Sequence, residues 1–412
     1  MRVWIFVICM FQGALVFCQT PSSYDTPIDT VLYSSQLKDS VALQIIVPSV
    51  LHYSKDITYP VIFLLDKQND INYQYNLQTI DYLTTLNATP ASIIVGISFD
   101  NRTRNKWTTP NVSGGKADDL INFMFGDIYG LLNSKFPVAN FTTLIGHSRT
   151  AIFSSYAFSK YHPIIHAVVA SSTANFDFGD KYTQVLFEDL LKTVENTPSQ
   201  YFLTYSSGTD FQLDYHEASV DSFSNYLNKV RVPANLTIKH IKEPVDHFVI
   251  PGLTVGRALA NNYESYRSAA IQSINLIQTQ QQNDSVPWSQ YLSFYNTQSL
   301  YYGFKISPDL LFYNSIASSY ANDYNGVFKE KSADLALEVL LKCVENYPFE
   351  YNTYFWISEI YLEQKNYSKA IDNAKQSLLL LQGDALIGAN DKLEISEEIK
   401  NFIQDIQEEL DN

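Results

Sequence analysis

Short apolar, β-branched runs alternate along the first two-thirds of the chain with longer stretches in which apolar residues recur every three or four positions. The short runs predict strands at 41–48, 60–65, 92–99, 141–145, 166–171, 201–205 and 236–241. The longer stretches predict helices at 71–86, 118–133, 149–159, 182–196 and 217–229. Ile93-Ile94-Val95 and Ala167-Val168-Val169-Ala170 are apolar at every position, as strands require when both faces of their sheet are covered. The fold class expected is α/β, a doubly wound and mostly parallel sheet.

Strand signals stop after about Leu259, and the chain becomes helical and polar, with a Gln-rich stretch at 278–282 and a break at Pro287. A repeat follows. Ala336 and Ala370 lie 34 residues apart, Leu340 and Ala374 stand four further on, and Cys343 and Ser377 three beyond those. That period is the tetratricopeptide length. Tyr354, Ile357, Ser358 and Tyr361 fill the first-helix slots of the second unit, and Pro348 ends the unit before it. The expected organisation is a leader at 1–18, an α/β domain at 19–262, a helical linker at 263–309 and an all-α, tetratricopeptide-like domain at 310–412. Two units rarely bury their apolar faces alone, so this region is expected to pack on the first domain or on a protein partner.

Composition narrows the class. Apolar residues make up 46%, aromatics 14% and charged residues only 17%, which excludes a disordered chain. The 28 Lys+Arg against 43 Asp+Glu give a net charge of −15, a field that repels a phosphate backbone, so nucleic acid is not an expected partner. Met1-Arg2 and the apolar run 3–17 have the order of a secretory signal peptide and are too short to span a bilayer. Val16 and Cys18 are the small residues before a cut that makes Gln19 the first mature residue, with lipid modification of Cys18 as the alternative. The expectation is an exported protein, periplasmic or secreted, with no membrane span in the mature chain and Cys343 as its single thiol.

The chemistry sits at Gly146-His147-Ser148-Arg149-Thr150, between the buried run 141–145 and a helical stretch. Strand, tight turn and helix are the setting of a nucleophile elbow, where a serine hydroxyl is exposed on a strained turn. Ser148 is the candidate nucleophile, and the amide of Arg149 a candidate oxyanion donor. Thr150 stands where the elbow motif has a second glycine. His247, directly after the last predicted strand, is the candidate base. Asp210 is the candidate acid, after the strand at 201–205 and a Gly turn, with Asp214 and Glu217 as alternatives. The amide of Lys67, after the strand at 60–65, is the candidate second oxyanion donor. Arg102 and Arg104 lie on the carboxyl-end rim, where α/β sheets bind ligands, and are candidates to hold a substrate anion or a loop carboxylate. No P-loop, dinucleotide fingerprint or zinc motif is present.

Val61-Ile-Phe-Leu-Leu-Asp66, Val95-Gly-Ile97 with Asn101-Arg-Thr-Arg104 and Thr109-Pro110, Gly146-His-Ser148 and Asp246-His247-Phe248 resemble the Putative esterase family of α/β-hydrolases. That family includes siderophore esterases, feruloyl esterases and S-formylglutathione hydrolase. The likeness runs from about Val31 to Leu259 and is nearest the ferric-siderophore and enterobactin esterase branch. It implies hydrolysis of a carboxylic ester through an acyl-enzyme on Ser148, with His247 as base and then acid, and no metal or organic cofactor. Lys67 and Thr150 both depart from the family's glycines. They favour the rival reading, a hydrolase scaffold that has lost catalysis and acts as a secreted interaction module through its helical repeats.

Overall fold

The computed structural model describes residues 22–173, 181–208, 214–283, 286–323 and 326–411. The leader therefore lies outside the described residues, as does Asp210, while Asp214 and Glu217 are described in their backbone only.

Eight strands form one sheet in the order β1-β2-β4-β3-β5-β6-β7-β8. They are β1 (Ile28–Ser34), β2 (Asp39–Ile46), β3 (Tyr59–Leu65), β4 (Ile93–Ile97), β5 (Val138–His147), β6 (Ala167–Ser171), β7 (Tyr201–Ser207) and β8 (Leu236–Lys242). From β4 through β8 every neighbouring pair is parallel, and only β1 and β2 run against their neighbours. β3, β4, β6 and β7 are buried at every residue, the condition that their unbroken apolar runs predict.

The edge strand β1 is not among the predicted elements. Its sequence Ile-Asp-Thr-Val-Leu-Tyr-Ser mixes polar and apolar residues, and Val31 and Tyr33 remain 66% and 63% exposed. A strand that gains its order from pairing with β2 and buries little carries a weak hydrophobic signal.

The crossover helices are α1 (Asp70–Thr85), α2 (Asn101–Thr108), α3 (Ala117–Asn122), α4 (Tyr129–Lys135), α5 (Arg149–Tyr161), α6 (Lys181–Val194), α7 (Asp214–Leu227) and α8 (Ile250–Asn262). A π-helical stretch, Phe123–Ile128, joins α3 to α4, so the single helix predicted at 118–133 is three segments. Residues 101–104, to which the sequence pattern assigns no element, open α2. Asp100 caps it, accepting the amides of Arg102 and Thr103 while the Thr103 hydroxyl accepts the Asp100 amide.

Seven further helices follow: α9 (Glu264–Asn283), α10 (Trp288–Tyr302), α11 (Leu310–Ala321), α12 (Ala333–Asn346), α13 (Tyr351–Glu363), α14 (Tyr367–Gly383) and α15 (Ala389–Asp411). One hydrophobic cluster extends from Leu37 to Ile360, and a second, around Ala374, Leu381 and Ile399, lies between the last three helices, with Tyr351 and Phe355 of α13 packed against it. The junction is aromatic. Phe141 on β5 meets the rings of Tyr263, Tyr302 and Phe304, and Phe202 on β7 stacks on Tyr302. Phe141 and Phe202 lie near the amino ends of their strands, so the C-terminal helices dock at the amino edge of the sheet. The backbone bond from Lys55 N–H to the Asn346 carbonyl, just before β3, joins the two parts at the same edge.

Candidate active site

The carboxyl ends of β3, β5, β6 and β8 bring the site together. After β5 the chain turns at Ser148, with φ 58° and ψ −117°, straight into α5. A side chain attached to Gly146 would come within 2.5 Å of the Thr150 carbonyl, so only glycine lets the returning helix approach this closely. Ser148 is held in the left-handed region, and the structure around it must over-determine that conformation.

That determination comes from Thr150. Its hydroxyl donates to Asp66 Oδ2 at 2.6 Å and accepts the His147 amide at 2.9 Å. Arg104 grips the same carboxylate in bidentate fashion, Nε to Oδ1 at 2.6 Å and Nη2 to Oδ2 at 2.7 Å, and its Nη2 also reaches the His147 carbonyl at 3.1 Å. Both backbone groups of the residue before Ser148 are thereby tied to one buried ion pair. A glycine at 150 would remove the link to Asp66. Thr150 is the fastener of this elbow, and its departure from the glycine motif is a substitution of one device for another.

Arg104 is therefore committed to Asp66, the loop carboxylate, and is not available to a substrate anion. Arg102 lies exposed on α2, and no side-chain bond is recorded for it among the described residues. The Lys67 amide donates to the Ile97 carbonyl at 3.0 Å, which removes it as an oxyanion donor. Loop geometry of this kind is set by pairing between β3 and β4 and leaves no mark in the local sequence. The Arg149 amide opens α5 and has no acceptor within the helix, as the first turn of any helix dictates. The Arg149 side chain is turned away, donating to Thr109 Oγ1 at 3.0 Å.

His247 sits in the loop between β8 and α8 and is 7% exposed. Asp246 shapes that loop by accepting the amides of Phe248 and Val249. His247 Nδ1 lies 2.7 Å from Ser172 Oγ, just past the end of β6. Ser148 Oγ makes no hydrogen bond among the described residues, so the direct contact with His247 expected of a serine and its base is not formed. Contacts of this type are often long without substrate and tighten in its complex.

Two residues absent from the sequence-based site hold the histidine. Ser172 is one. His147 is the other: its Nε2–H donates to the His247 carbonyl at 2.9 Å, and the two rings lie 4.6 Å apart. Burial, and then the neighbouring His247, push the His147 imidazole down to about 4, so it stays neutral at neutral pH. His147 was legible as the middle residue of Gly-His-Ser. Ser172, in Ala-Ser-Ser-Thr, carries no motif at all.

A cavity of about 20 Å³ lies behind the elbow, lined in part by Asp66, Asn72, Asn76 and His147. It holds about one water and no ester. On the rim at the same edge, Ile71, Tyr75, Phe248, Val249 and Leu253 are exposed apolar side chains on the first two turns of α1, the first turn of α8 and the loop before α8. Among the described residues, no group of three His, Cys, Asp or Glu converges on a metal position, and no helix is long and apolar enough to cross a membrane.

Residues 34–197 match the family described as Putative esterase. The matched span contains Asp66, Arg104 and Ser148 and stops before His247, and the match supports a carboxylic ester hydrolase. Two solved structures share the fold. An IroE-like serine hydrolase from Shewanella oneidensis superposes with a TM-score of 0.57 at 19% identity, over 71% of this chain and 93% of its own. An uncharacterised protein from Capnocytophaga ochracea gives 0.54 at 14% identity, over 93% of this chain and 99% of its own, so its fold includes the C-terminal helices. No curated protein matches the chain.

Proposed function

On the premise that residues 34–197 carry the Putative esterase match, we propose that this protein cleaves a carboxylic ester through an acyl-enzyme on Ser148, with His247 as general base. The observation that carries the reading is the strained, over-determined turn at Ser148, φ 58°, at the carboxyl end of the central strand β5. Ser148 Oγ attacks the ester carbonyl while His247 Nε2 takes its proton. The oxyanion of the tetrahedral intermediate is met by the Arg149 amide at the positive end of α5. The intermediate collapses with loss of the alcohol, which leaves with the proton from His247, and water then repeats the sequence on the acyl-enzyme. Gln68 supplies a second amide in the β3–α1 loop. Its side chain braces that loop, donating to Asp66 Oδ1 at 2.8 Å and accepting the Phe99 amide at 2.9 Å.

The apolar rim of Ile71, Tyr75 and Phe248 suits an ester with an apolar or aromatic portion. Thr150, which favoured the rival scaffold reading, is now accounted for by its bond to Asp66. Export through the leader at 1–18 is part of the proposal, and so is a tetratricopeptide-like region on α12, α13 and α14. Supporting the latter, Ala336, Cys343, Ser358, Ala370, Ala374 and Ser377 are all fully buried between those helices. The domain boundaries at 262 and 310 and a protein partner for the repeats belong with it.

The test is turnover of a short-chain nitrophenyl ester together with fluorophosphonate labelling. Ser148→Ala is expected to lose both while folding normally. Wild-type turnover in that variant would sink the serine assignment.

A further inference from the structure

Three neighbouring strands, β3, β5 and β6, each end at a non-glycine residue in the left-handed region: Asp66 at φ 65°, Ser148 at 58° and Ser172 at 46°. Such backbone is costly and collects at functional sites. Asp66 and Ser148 already belong to the elbow. Ser172 has its own attachments. Its amide donates to Ser206 Oγ on β7 at 3.0 Å, and that oxygen also accepts the Thr254 hydroxyl of α8 at 3.0 Å. Ser172, Ser206 and Thr254 are buried, so a strand and a helix together aim the Ser172 hydroxyl at His247 Nδ1, 2.7 Å away.

We propose that Ser172 is a positioning residue for the base: its hydroxyl accepts the Nδ1–H of His247 and fixes the tautomer whose Nε2 lone pair faces the nucleophile. The inference rests on the reading of Ser148 and His247 given above. When Nε2 takes the Ser148 proton, the Nδ1 proton stays on the imidazolium and continues to donate to Ser172. No proton passes to Ser172, and none is lost from it. His147 completes the arrangement, because its bond to the His247 carbonyl holds the main chain while Ser172 holds the ring. The residue that orients the imidazole thus comes from the end of β6, next to the elbow strand.

The test compares Ser172→Ala and Ser172→Asn with wild type on a nitrophenyl ester, and maps the fluorophosphonate adduct by peptide mass. Ser172→Ala is expected to lower kcat by about tenfold or more with KM unchanged, because the ring is no longer held in one tautomer. Asn tolerates left-handed backbone and offers an oxygen to the same Nδ1–H, so Ser172→Asn is expected to recover most of that loss. The adduct is expected on Ser148 in all three proteins. Wild-type kcat in the Ala variant overturns the positioning role and leaves Ser148 as nucleophile untouched. If the Ala variant does not fold, the Asn variant decides alone: folded protein turning over at less than about a tenth of the wild-type rate overturns the role. An adduct on Ser172 itself overturns both this inference and the Ser148 reading.

Discussion

Single residues show how much of this site could be read in advance. Ser148, Arg149 and His247 could be nominated as candidates because a nucleophile elbow and a post-strand histidine leave local patterns. Thr150 was legible only as an anomaly, since its partner Asp66 is 84 positions away. A second residue of that kind is His166, 2% exposed and stacked between Phe141 and Tyr201. Burial pushes its imidazole down to about 4. Below the ordinary histidine range near 6.5 the unfolded chain takes up a proton that the folded one refuses, so this residue's contribution is complete above about 6.5 and fades towards 4. His166→Gln removes the titration. The stability gap between wild type and this variant, from urea unfolding, is expected to shrink by about 3 kcal/mol on going from pH 6.5 to pH 4. A constant gap would mean that His166 titrates normally.

At the level of elements, the predicted strands from 41 to 241 all exist, since continuous apolar runs on a doubly covered sheet are the strongest signal a sequence offers. What failed was conformation at strand ends, where long-range hydrogen bonds decide. Lys67 and Ser172 are both strand-end residues of this type. Gly208, which follows β7, shows the same control from the loop side. A side chain there would lie 2.2 Å from the Val245 carbonyl, two residues before His247, and 2.5 Å from Ile250 Cδ1. Gly208→Ala must displace the His247 loop. It is expected to cost about 1–3 kcal/mol of stability and to cut ester turnover well beyond the loss in folded fraction. Gly126→Ala, where nothing lies within 4 Å, is the control expected to leave turnover unchanged.

Across the whole molecule, the site occupies the carboxyl edge of the sheet and the C-terminal helices the amino edge, so stability and turnover are separable by position. Tyr302 is fully buried among Phe141, Phe202, Tyr263 and Phe304 and donates to the Asn262 carbonyl at 3.0 Å. Tyr302→Ala is expected to cost about 3–5 kcal/mol, as large aromatic truncations do, while kcat per labelled active site stays at the wild-type value. Parallel loss of kcat would show that the two edges communicate. The change of character after Leu259 was plain in the sequence. The aromatic seam was not, because Phe141 and Tyr302 are far apart in the chain and carry no shared pattern.

That seam also imposes an order of events during synthesis. When Asn262 has left the ribosome every strand is present, yet the cover for Phe141 and Phe202 is still to come, with Tyr302 trailing by 40 residues. At about 5–20 residues per second the wait is roughly 2–8 s, during which a finished sheet presents an aromatic edge to its surroundings. Until then that edge has no cover of its own, and the enzyme matures only when its last third arrives.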